Sequence, residues 1–119
     1  MLNYIFRKPK FPIICDFDGD LVAAKSEITF TRQLEKIAID TEKSYPLISI
    51  SGEGWMFLPQ HMAISPLTTK KKWFKKDIIA LYNSRKNPIS DGGQYSEKSL
   101  SAKRFKKIFT DIVELLLKS

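Results

Sequence analysis

The sequence predicts an α+β fold: a small antiparallel sheet of four or five strands with one early helix and two C-terminal helices. Three observations carry this. Short β-rich apolar runs, broken by turn residues, occupy the first half of the chain. Apolar residues at helical spacing occupy the last third. The length of 119 residues and a hydrophobic content of 43% suit a single domain, mostly sheet over residues 1–69 and helical over 70–119.

Residues 11–24 read as a strand pair. Phe11 to Phe17 is apolar, Asp18-Gly19 is a turn dipeptide, and Leu21 to Ala24 is apolar again. Asp-Gly between two such runs is a strong hairpin signal, because glycine accepts positive φ without steric conflict. The stretch "TFTRQLEKIAIDTEK" places Phe30, Leu34 and Ile37 at helical spacing, with Thr29 or Thr31 as the cap; Ile28 to Phe30 could instead prolong the preceding strand. Leu47 to Ile50 and Trp55 to Leu58 form two strands around Gly52-Glu53-Gly54, and Pro59 ends the second. "HMAISPL" reads as a short edge strand stopped by Pro66.

The spacing of Phe74, Ile78, Leu81 and Tyr82 predicts a helix over about residues 70–84. A polar loop with Pro88 and Gly92-Gly93 follows. The last helix, about residues 101–118, buries Phe105, Ile108, Phe109, Ile112 and Leu116, with Ser99 or Ser101 as its cap. In that helix Lys103 and Lys107 lie opposite the apolar face, and Arg104 and Lys106 flank it.

Charge is unevenly placed. The chain carries +7 net, yet residues 70–107 hold 12 Lys and Arg against 3 acids, a local surplus of +9. Such asymmetry points to a partner of opposite sign. No run of 18 apolar residues offers a membrane span, and the N-terminus lacks the long apolar centre of a signal peptide, so a cytoplasmic location is expected. The single cysteine, Cys15, lies in an apolar run and reads as a buried, inert thiol. One Cys and one His, His61, do not make a zinc site, and no cofactor or metal is expected.

"PIICDFDGD" resembles the first motif of the haloacid-dehalogenase-like phosphatases, and "LISISG" their second. That resemblance implies Asp16 as nucleophile, Asp18 as general acid/base and Ser51 as the second-motif hydroxyl. The chain departs from the family pattern at Asp20, where the family has Thr or Val. "ISDGG" supplies only Asp91 for the third acidic pair, and the chain is short for a parallel sheet with crossover helices. The hairpin is the preferred reading and the phosphatase a remote alternative. A Ca²⁺ loop starting at Asp16 would reach Glu27 as its last ligand, but Gly19 stands at the fourth position where the sixth is needed.

Residues 70–110 resemble the helix-turn-helix or winged-helix C-terminal domains of phage and plasmid primase-helicases, on Lys98, Ser99, Leu100, Ser101 and Phe105. The resemblance implies phosphate contacts by the N-terminal turn of the last helix. The expected contact residues are Lys70, Lys71, Lys72, Lys75, Lys76, Arg85, Lys98, Ser99, Ser101, Lys103, Arg104 and Lys107. Trp73 and Tyr95 lie among them and either stack on bases or pack against the core. No nucleophile, base and oxyanion set assembles. The expectation is therefore a non-enzymatic binding protein for nucleic acid or an acidic protein surface. An immunity-type or accessory protein that inhibits a protein partner is the alternative.

Overall fold

A computed structural model describes residues 2–67, 72–85, 95, 98 and 102–118. The strands are β1 (Asn3–Tyr4), β2 (Ile13–Phe17), β3 (Asp20–Ala24), β4 (Tyr45–Ser49), β5 (Gly54–Leu58) and β6 (Ala63–Pro66). Among the described residues the helices are α1 (Glu27–Leu34), α2 (Lys75–Asn83) and α3 (Phe105–Leu117), with a 3₁₀ turn at Pro59–His61. The six strands form one sheet in the order β1-β6-β5-β4-β2-β3. Among the described residues no helix is long and apolar enough to cross a membrane.

The α+β class matches the expectation, while the sheet corrects it: six strands rather than four or five, and mixed rather than antiparallel. The added strand is β1, which pairs in parallel with β6, Asn3 against Ala63 and Tyr4 against Ile64. β6 is consequently interior, not an edge. Two residues are too few to show a period of two, so β1 leaves no sequence signal. β1 is tied down by the Tyr4 hydroxyl, which donates to Glu27 Oε1 at 2.6 Å. Burial and that acceptor both hold the Tyr4 pKa above its usual value.

Asp18-Gly19 is the two-residue turn of the β2–β3 hairpin, with Phe17 opposite Asp20. Both turn residues have positive φ, +56° and +103°, as a primed turn requires. Asp16 Oδ1 accepts the Gly19 N–H at 2.7 Å, and Asp18 pairs with Lys43 at 2.8 Å. β2 runs antiparallel to both of its neighbours, β3 and β4.

The sheet is covered on both faces. Ile13, Cys15, Phe17, Val22, Leu47 and Phe57 pack with Phe30 and Leu34 of α1. Ile14, Leu21, Ala23 and Ile48 pack with Ile78, Ile79 and Tyr82 of α2 and with Ile108, Phe109, Ile112 and Val113 of α3. The alternation along β2 thus divides its apolar residues between two cores. A fully buried side chain such as Phe30 contributes roughly 2–3 kcal/mol.

The helix starts differ from the sequence expectation. α1 begins earlier, because Ser26 accepts the Thr29 N–H while Thr29 Oγ1 accepts the Ser26 N–H. Ile28 to Phe30 is therefore helix and not strand, and Thr29 completes the cap that Ser26 opens. α2 begins later, at Lys75 rather than near residue 70. Phe74 is extended there (φ −110°, ψ 169°) and Asp77 Oδ2 accepts its N–H at 3.0 Å. α3 also begins later, with Arg104 as N-cap in place of Ser99 or Ser101. Those two serines lie outside the described residues.

Candidate functional site

Three short segments converge at one end of the α2–α3 layer. They are the β4–β5 turn, residues 72–76 entering α2, and residues 104–106 entering α3. The Trp73 N–H donates to the Gly52 carbonyl, and Lys72 forms a β-bridge with Glu53. Lys75 Nζ donates to the Lys103 carbonyl at 3.1 Å, which holds the two helix starts side by side. The turn itself is fixed by buried Ser49, whose Oγ lies 2.6 Å from Ser51 Oγ and whose N–H donates to Glu53 O at 3.1 Å.

Gly52 is essential to this approach. Its φ is +88°, and a Cβ there would lie 3.1 Å from the Trp73 carbonyl oxygen and 3.7 Å from Phe105 Cε1. Only a residue without a side chain suits both the conformation and the contact.

The segments enclose a cleft of about 810 Å³ lined by Ile50, Ser51, Lys72, Trp73, Phe74, Lys75, Lys76, Arg104, Phe105 and Lys106. Ile50, Trp73 and Phe105 are half-buried against the core, with Phe105 5.7 Å from Phe109 between ring centroids. Phe74 is 62% exposed. The described lining therefore holds five cations and no carboxylate. Among the described residues no ion pair engages Lys72, Lys76, Arg104 or Lys106.

The expected contact residues do not form one group. Lys72, Lys75, Lys76 and Arg104 meet at the cleft. Lys103 and Lys107 lie away from it, paired with Asp111 at 3.0 Å each. Lys103 also donates to the Tyr95 hydroxyl at 3.1 Å, and that hydroxyl donates to Asp111 at 2.7 Å. The hydrogen bonds to Tyr95 and Asp111 raise the Lys103 pKa. Burial pushes the Asp111 carboxyl up, but bonds from Tyr95, Lys103 and Lys107 outweigh it and leave the pKa below its usual value. Arg85 sits beyond the opposite end of α2, over the Tyr82 ring at 3.8 Å. Lys98 is exposed, while Lys70, Lys71, Ser99 and Ser101 lie outside the described residues.

Of the two aromatics expected among the lysines, Trp73 lines the cleft. Tyr95 is instead bound into the Lys103–Asp111 network. Five lining residues were not expected as contacts: Ile50, Ser51, Phe74, Phe105 and Lys106. Phe74 was expected on the buried stripe of α2, and Lys106 only as a flank of α3. The signal for Phe74 was Asp77 three residues on, which marks a helix start after Phe74.

The remaining candidates have structural surroundings. Cys15 is fully buried, and burial drives its thiol pKa well up. Trp55 is core, with the Arg7 guanidinium 5.0 Å from its ring centroid. His61 is exposed, and its carbonyl accepts from Asn3 Nδ2 at 3.2 Å. Among the described residues no three His, Cys, Asp or Glu side chains are grouped to hold a metal ion. No protein-family model matches this chain, and neither a curated protein nor a solved structure matches it.

Proposed function

We propose that the chain is a non-enzymatic, cytoplasmic nucleic-acid-binding protein and that its contact surface is the cleft between the starts of α2 and α3. One observation carries this reading: five cations and three aromatic rings line the cleft, without a carboxylate among its described residues. Cations answer phosphates, and aromatic rings answer bases.

The helix starts support the same reading. α3 has no side-chain cap at Arg104. Its first N–H groups point out of the helix end, where the dipole also favours an anion. This is the phosphate chemistry that the helix-turn-helix resemblance implies, displaced from Ser99 and Ser101 to the turn after Arg104.

The test is a titration of labelled nucleic acid at two salt concentrations. Four or five neutralised phosphates give a loss in affinity of roughly 50- to 130-fold on a single strand, or roughly 150- to 500-fold on duplex DNA, between about 50 and 200 mM salt. Absence of binding at the lower salt sinks the proposal. Capture of one stoichiometric acidic protein in its place would favour the inhibitor class.

A further inference from the structure

Resting on the cleft as a nucleic-acid contact, we infer that it takes single-stranded nucleic acid, with an unpaired base seated against its aromatic lining, and discriminates against duplex. The argument starts from Phe74. A phenylalanine ring that is 62% exposed stands among lysines, at a point the fold holds firmly. Asp77 accepts its N–H, and the helix begins at the next residue. Such a ring has the chemistry of a stacking platform. Among the described residues the other large exposed apolar side chains, Phe6 and Ile28, lie outside the cleft lining.

Shape gives the second step. The cleft is concave, with a volume of about 810 Å³ and half-buried Ile50, Trp73 and Phe105 in its lining. That volume lies in the range of pockets that enclose a small organic ligand. A duplex keeps its base faces stacked inside and presents phosphates and groove edges. It has no apolar face to bury in such a cleft. An unpaired base does, and its flanking phosphates then fall among Lys72, Lys76, Arg104 and Lys106. Because every base has a π-face, selection is for strandedness, not for sequence.

Fluorescence anisotropy of the full chain, with probes of about 12 nucleotides, tests this. The probes are oligothymidylate, oligouridylate and a DNA duplex of equal length, and the first two separate DNA from RNA. The single strand is expected to bind tenfold or more tighter than the duplex at low salt. Phe74→Ala should lose roughly tenfold on the single strand and nothing on the duplex. Phe74 is exposed, so the variant should keep the wild-type melting profile. As a second readout, oligothymidylate should quench tryptophan fluorescence through Trp73, since Trp55 is only 1% exposed. Equal or tighter binding of duplex overturns the single-strand inference, as does a Phe74→Ala variant that binds oligothymidylate normally. Either result leaves salt-dependent binding, and hence the broader proposal, in place. Failure of all three probes to bind removes both.

Discussion

The ammonium group of Lys75, in the first turn of α2, donates to the carbonyl of Lys103, just before α3, at 3.1 Å. A basic side chain is thereby spent on architecture inside a basic cleft. Lys75→Met keeps the aliphatic stem and removes the bond. It should lower stability by about 1 kcal/mol, read as a lower urea midpoint with an unchanged slope. Lys76→Met, at an exposed neighbour, should change the stability by less than about 0.5 kcal/mol.

Gly52 gives a sharper prediction. At φ +88°, with the Trp73 carbonyl oxygen 3.1 Å from where a Cβ would stand, Gly52→Ala is strained in both backbone and contact. A cost of about 1–3 kcal/mol follows, lowering the melting temperature by roughly 4 °C or more. The variant should also weaken nucleic-acid binding more than its stability loss explains. Trp73, which donates to the Gly52 carbonyl, and Phe105, which an added Cβ would meet, both line the cleft.

The positions of these groups show what a sequence reveals and what it hides. The β2–β3 hairpin was legible because Asp18-Gly19 is a local signal that needs no partner. The helices were legible as periodic apolar stripes, but their starts were not. Trp73 and Phe74 extend the apolar pattern of α2 while the backbone before Lys75 is extended, and only the reach of Asp77 back to Phe74 marks the true beginning. β1 was invisible because its two residues gain their place from β6, a pairing about 60 residues away in the chain. At the site, gathering of cations was legible as charge density. Its division was only half legible. Lys107 and Asp111 stand at i,i+4 spacing. The Lys103–Asp111 pair depends on Tyr95 and on the chain path into α3, which spacing alone does not give.

Asp111 makes that network sensitive to acid. Its carboxyl pKa is lowered in the folded chain, so the folded state holds the charged form better than the unfolded state does. The resulting stability is present above the unfolded value and is lost as pH falls through the folded one. Asp111→Asn should be less stable than the parent at neutral pH. The gap should stay constant down to about pH 5 and close as pH falls below about 4. Equilibrium urea unfolding of both chains across this range checks the sign. A gap that widens with acid would contradict it.

Neutralisation by Asp111 also separates two kinds of basic residue on the two C-terminal helices. Lys107, paired at 3.0 Å, already has a counter-charge and stands outside the cleft. Arg104 and Lys76 line the cleft, and among the described residues no ion pair engages them. A phosphate therefore gains more from Arg104 or Lys76 than from Lys107. Arg104→Met and Lys76→Met should each weaken binding several-fold and reduce the slope of log affinity against log salt by about 0.7 to 0.9. Lys107→Met should move the slope by less than half of that, while showing a small loss of stability from the weakened Asp111 cluster. Anisotropy titrations of the three variants at four salt concentrations measure the slopes directly. If Lys107→Met moved the slope as far as Arg104→Met does, the phosphate path would run along the outer face of α3 and not through the cleft.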